Sequence, residues 1–171
     1  MNVRMFTRFG FRIGLTISLA LALTVGAQQT SGDWHTVTDM PSEPQHQTQK
    51  DETHKEGPIV TDTYVVNAQP NLYIAALTQY PSAVSLPDQE ELNADRDNFN
   101  KEVKATVTSE ERKTFAGFPA IEFKSKNEQN TFHALMVKAD HNVYCTVAAY
   151  KNGDEPLECG RFVNSLKLIK P

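Results

Sequence analysis

Five histidines, two cysteines and several close pairs of carboxylates are the residues of this chain whose types could do chemistry. His46 and His54 are eight positions apart and would share the face of an extended strand. At about 3.4 Å per residue they would stand about 27 Å apart, so one metal ion cannot reach both unless a turn intervenes near Asp51-Glu52. His35, beside Trp34, could join them only by accident of folding. His133 and His141 are also eight apart, with His141 in an expected hairpin turn and His133 nearer to Tyr150, so the two are not expected to act together. A Cys145 and His133 nucleophile pair would need a free thiolate and a third, orienting group. Glu90-Glu91, Glu110-Glu111 and Asp95/Asp97 lie in polar stretches, where nothing points to the burial that raises a carboxylate into a catalytic range. There is no G-x-S-x-G, H-E-x-x-H, P-loop or dinucleotide fingerprint. No catalytic residue, no metal ligand and no cofactor is therefore assigned.

Cys145 and Cys159 are the only thiols. Cys145 alternates with Val143, Val147 and Ala149 on one face of an expected strand, and Cys159 shares a helical stripe with Phe162, Val163 and Leu166. If that helix lies across that strand face, both sulfurs enter one apolar layer. A disulfide between them is expected, and closing that loop would stabilise the fold by about 3 kcal/mol. The alternative is two buried free thiols. No C-x-x-C spacing marks a redox pair.

The compartment follows from the first segment. Arg4, Arg8 and Arg12 precede an apolar run from Ile13 to Ala27 that ends in Val25-Gly26-Ala27. The run is shorter than the roughly 20 residues of a membrane span, and its small residues suit cleavage between Ala27 and Gln28. Residues 1–27 are expected to be a secretory signal peptide, 28–33 a flexible leader and 34–171 one α+β domain, soluble in the periplasm or secreted, with no stable membrane insertion after processing. The whole chain of 171 residues holds 17 Lys and Arg against 21 Asp and Glu. Its basic residues are scattered, so no nucleic-acid partner is expected.

The elements read as follows. Gln45 to Gly57 has no apolar residue, which fits an edge ribbon or a solvated loop. Ile59 to Val66 and Leu72 to Leu77, broken by Asn67-Ala68-Gln69-Pro70-Asn71, signal a hairpin. Asp88, Glu90 and Glu91 open a helix with Leu92, Phe99 and Val103 on one face and Lys101 and Lys104 near its end. Thr106 to Lys113 is ambiguous, whereas Ala120 to Phe123 alternates as a strand. Thr131 to Lys138 and Val143 to Tyr150 form a second hairpin that is apolar on both faces and must be covered on both. Leu157 to Leu166 has helical spacing and supplies one cover. These elements assemble into an antiparallel sheet of about six or seven strands with two helices.

Gly117-Phe118-Pro119-Ala120-Ile121-Glu122-Phe123, the following hairpin with Tyr144 early in its second strand, and Phe162-Val163-Asn164-Ser165-Leu166-Lys167-Leu168 resemble the PsbP-like domain of exported bacterial proteins and of the photosystem extrinsic subunit. The resemblance implies a three-layer α/β/α sandwich on an antiparallel sheet and is nearly silent on function. Gly117 permits a sharp turn and Pro119 presets the strand that follows. Tyr73, Tyr80, Phe118, Tyr144 and Tyr150 are expected near strand ends and turns, where they form a candidate face for a partner or ligand. The expected role is a non-catalytic accessory or binding domain of the cell envelope that holds a protein partner or a small apolar ligand. The alternative is a small hydrolase or isomerase with a site around His133.

Overall fold

The computed structural model describes residues 35–36, 39–84 and 87–169. The expected signal peptide, the expected cleavage between Ala27 and Gln28 and the expected leader lie outside the described residues. Seven strands form one antiparallel sheet in the order β2-β3-β4-β8-β7-β6-β5. They are β2 (Gln45–Asp51), β3 (Ile59–Ala68), β4 (Asn71–Gln79), β5 (Thr106–Phe115), β6 (Phe118–Lys126), β7 (Asn130–Ala139) and β8 (Asn142–Lys151). A separate pair joins β1 (His35–Thr36) to β9 (Leu168–Ile169). The order is a set of hairpins with one jump, from β4 to β8, which makes β8 the central strand.

The expected hairpins are present, and both ambiguous polar segments prove to be the edges of the sheet. β2 and β5 carry mostly exposed side chains, so neither needs the apolar alternation by which inner strands are recognised. Every position of β7 from Phe132 to Ala139 and of β8 from Asn142 to Tyr150 is buried, as strands apolar on both faces require. At the β5–β6 turn Ala116 and Gly117 both have positive φ, +50° and +89°, which lets a two-residue turn match the twist of its strands.

The helices are α1 (Asp88–Glu102) and α2 (Leu157–Val163). α1 opens with Asp88, Glu90 and Glu91 and closes near Lys101, in accord with its dipole. Its buried stripe is thin: Glu91, Leu92, Phe99 and Asn100. Leu92 and Phe99 join Ile74, Ala76, Ile121, Phe123, Phe132, Ala134, Met136, Cys145 and Val147 in one core cluster. Phe99 meets Phe123 and Phe132 edge-on at 6.0 Å and 5.7 Å between centroids. α2 is shorter than expected, ending at Val163 with Leu166 buried beyond it. Its Cys159, Phe162 and Val163 cluster with Tyr73, Ala75, Leu135, Val137, Tyr144, Ala148 and Tyr150.

That division corrects the disulfide expectation. Along β8 the odd positions Cys145, Val147 and Ala149 point to the α1 side, while Tyr144, Ala148 and Tyr150 point to the α2 side. Cys145 therefore lies under α1 and Cys159 belongs to α2, with the thickness of the sheet between them. Both are free, buried thiols. The pleat gives the reason: a shift of one residue in the face assignment moves a side chain to the opposite layer. Because both faces of β8 are apolar, its sequence pattern does not say which face α2 takes. Thr146, on the α2 side, instead donates its hydroxyl to the Val163 carbonyl at 2.9 Å.

Candidate functional site

Two polar clusters interrupt the apolar layers, one on each face. On the α2 face, β5 presents Lys113, β6 presents Glu122 and Lys124, and β7 presents His133 directly across from Lys124. The chain leaving β8 brings in Glu155 just before α2. His133 Nε2 lies 2.6 Å from Glu122 Oε1, and His133 Nδ1 lies 2.5 Å from Glu155 Oε1. Lys113 donates to the other oxygen of Glu122, and Lys124 donates to Glu155 Oε2 at 2.7 Å. Burial works against ionisation of both glutamates, but hydrogen bonds and charge from the lysines and His133 outweigh it. Both carboxyls are thereby held below their ordinary range. Ionised carboxylates only accept hydrogen bonds, and each ring nitrogen of His133 faces one of them.

Both nitrogens of the imidazole are engaged, and there is no hydroxyl or thiol among these partners. A general base must take a proton from a reacting group, and a ring committed to two carboxylates has no position left for one. The cluster clamps the start of α2 to β5, β6 and β7. His141 sits away from it in the β7–β8 turn, in keeping with the expectation that the two histidines do not act together. Cys145 faces the opposite layer from His133.

On the α1 face lies the second cluster. Glu91 of α1 is 2% exposed and pairs with Lys138 of β7 at 3.2 Å. Lys138 Nζ also donates to the Asp140 carbonyl at 2.5 Å and stands 5.9 Å above the Tyr80 ring. The Tyr80 hydroxyl donates to Asp95 Oδ1 at 3.3 Å. Glu91 Oε1 and Asp95 Oδ2 are shielded from solvent with no hydrogen-bond partner. Burial pushes the Glu91 carboxyl up, with Lys138 only partly offsetting it. Burial and the neighbouring Glu91 push Asp95 up to about 7. Burial also raises the Cys145 thiol, with Asp95 adding to the effect.

The expectation that these carboxylate pairs are solvated is thus corrected for Glu91 and Asp95, while Glu90, Asp97, Glu110 and Glu111 are exposed. The two sit one turn apart on the stripe that carries Leu92 and Phe99, so one face of α1 delivers both to the sheet. The signal that could have found them is Lys138, a lysine at an inward position of a strand apolar on both faces. Among the described residues no group of three or more His, Cys, Asp or Glu is placed to hold a metal ion.

The structure also redistributes the candidate face. Tyr73, Tyr144 and Tyr150 are at most 3% exposed, in the core beneath α2. Tyr73 meets Phe162 edge-on at 5.2 Å, and burial raises the Tyr150 hydroxyl to about 12. Phe118 is partly buried against the same cluster, and Tyr80 lies at the α1-side site. These five do not form a common surface, because the pleat and α2 consume three of them. The large hydrophobics left exposed among the described residues are Tyr64 and Leu157. Tyr64, on β3, stacks on His46 of β2 at 4.4 Å, and His46 Nε2 lies 3.0 Å from Asp62. Thr48 donates to the same Asp62 oxygen at 2.5 Å. His54 follows β2 and its Nδ1 accepts from the Glu56 amide at 3.4 Å.

No protein-family model matches this chain, and no curated protein does. Among solved structures, the solution structure of the cyanobacterial PsbP (CyanoP) from Synechocystis sp. PCC 6803 is similar, with a TM-score of 0.49 and 9% identity. The match covers 86% of this chain and 99% of that one. A likeness of that degree assigns neither a residue role nor an activity. Among the described residues no helix is long and apolar enough to cross a membrane.

Proposed function

We propose that this chain is an exported, non-catalytic accessory domain of the cell envelope, a PsbP-like three-layer α/β/α sandwich that holds a protein partner on its β2–β3 ribbon. The layered reading is supported by the two core clusters, one under each helix. The observation that carries the binding reading is the placement of the aromatics. α2 packs against β4, β7 and β8 and α1 against β6 and β7, and beyond them the ribbon displays Tyr64 on the His46 ring with Asp62 and Thr48 beside it. A rigid aromatic flanked by polar groups is the kind of anchor that protein interfaces use. A small apolar ligand is the weaker choice of occupant, since Tyr73, Tyr144 and Tyr150 are already packed by the protein's own helix. The enzyme alternative around His133 loses support from the double carboxylate clamp on its ring.

The test is affinity purification of the tagged full chain from native envelope, beside a His46→Ala/Tyr64→Ala variant. Both side chains are exposed, so the double change should cost under about 0.5 kcal/mol per site while abolishing co-elution of the partner. Identical co-eluting proteins for the two chains would overturn the ribbon as the docking face. For export, the N-terminus of the purified protein is expected at Gln28, and one at Met1 would refute it.

A further inference from the structure

We infer that α1 is a proton-latched cover: Glu91 takes the ammonium of Lys138 and Asp95 has no cation of its own, so a proton on this carboxyl pair keeps α1 seated on the sheet, and its loss loosens α1 over Cys145. The geometry makes the count. A buried Glu91 and a partly buried Asp95, one turn apart, face one ammonium, and each has a shielded oxygen that no donor reaches. A second negative charge there has no cation in contact with it, and an unpaired buried charge is costly. The groups facing the pair come from every neighbouring element. They are Tyr80 after β4, Lys138 on β7, Asp140 and His141 in the β7–β8 turn, Cys145 on β8 and Asp88 at the start of α1. Arg96 and Arg112 are taken up elsewhere, Arg96 by Asp97 and Glu110, Arg112 by Glu110, Gln89 and Asn93.

The direction follows from linkage. With Asp95 near 7 in the seated state and at its ordinary value when α1 lifts, lifting releases a proton throughout the window between them. Opening therefore becomes about tenfold easier per pH unit from roughly pH 4 up to roughly pH 7, and levels off above that. The two thiols report it from opposite faces. Cys145 lies under α1 and Cys159 under neither Glu91 nor Asp95, so the ratio of their labelling rates cancels the common ionisation of a thiol.

The experiment is iodoacetamide labelling of the full wild-type chain between about pH 5 and pH 8, with each cysteine quantified by peptide mass spectrometry. The Cys145-to-Cys159 ratio is expected to rise at least about tenfold from pH 5 to pH 7 and then plateau. It should be flat in Asp95→Asn and should keep its step in His141→Gln. A flat wild-type ratio, a step that survives Asp95→Asn, or one abolished by His141→Gln would overturn the latch. Because Asp95→Asn could impair folding, a carboxyl-carbon titration of wild-type protein gives a second reading. A midpoint for Asp95 near neutrality supports the latch, and one below about 5 refutes it.

Discussion

Replacing His133 by glutamine tests the clamp under α2. The wild-type ring makes two charge-assisted contacts, at 2.6 Å to Glu122 and 2.5 Å to Glu155, from a side chain 6% exposed to carboxylates 20% exposed. Each such bond contributes about 1.5–3 kcal/mol. Glutamine can donate to one carboxylate only and brings no charge, but Lys113 and Lys124 still compensate the two glutamates. The expected loss at neutral pH is therefore about 2–4 kcal/mol, one bond plus the charge on the other. The pH dependence has a definite sign. Glu122 and Glu155 sit below their ordinary value when folded, so the stability they contribute is present above the unfolded carboxyl range and is lost as pH falls through their lowered folded values. Urea unfolding followed by far-ultraviolet circular dichroism, at about pH 7 and in steps below about pH 4, should show the gap between wild type and His133→Gln narrowing in acid. A gap below about 0.5 kcal/mol at neutral pH would show that the clamp contributes nothing measurable. A gap that persists undiminished in acid would assign the loss to packing and not to charge.

Two further outcomes follow from the backbone and the thiols. Gly117 has φ +89° and a methyl there would meet nothing within 4 Å, so Gly117→Ala should destabilise by about 1 kcal/mol through backbone strain alone. Gly160, inside α2 with its nearest neighbour at 3.5 Å, should respond with the opposite sign, Gly160→Ala gaining up to about 1 kcal/mol in the same denaturation assay. Equal signs would contradict these backbone assignments. Thiol titration in denaturant without reductant should find both Cys145 and Cys159 free, and reduction should leave the thermal midpoint unchanged; a cross-linked peptide containing both would refute the face assignment.

The inner sheet was legible because its strands are forced to be apolar. The β3–β4 and β7–β8 hairpins, the Gly117 turn and both helices are specified by local pattern and turn chemistry. The polar edges were legible only in part, β2 as an edge ribbon or a loop and β5 not at all, since an edge strand that exposes most of its side chains leaves no alternation to read. Face assignment failed where both faces are apolar: Val143 to Tyr150 fits either helix, and choosing the odd positions for α2 produced the disulfide expectation, while nearness to strand ends put Tyr144 and Tyr150 on the candidate face. The site failed for a related reason. Glu91 and Asp95 stand in a run rich in Asp, Glu and Asn, and only their register with Leu92 and Phe99, together with Lys138 on the facing strand, distinguishes them from the solvated charges around them.

The two faces of the sheet hold their helices by unlike means, and the difference is a matter of charge count. Beneath α2 two lysines and the His133 ring meet two carboxylates, and each of the four carboxylate oxygens has a polar partner. Beneath α1 one lysine meets two carboxylates, and two oxygens have none. A satisfied network resists opening because every contact broken is a charge-assisted one, while an under-satisfied network gives back desolvation energy when it reaches water. At neutral pH the α1 side should therefore open before the α2 side, although α1 is the longer helix and Phe99 anchors it to Phe123 and Phe132. In acid the order should reverse, because protonation fills the vacancy at Asp95 and at the same time discharges Glu122 and Glu155. The α1 side gains from a proton and the α2 side loses by one, so helix length alone does not set which face of the sheet is exposed first.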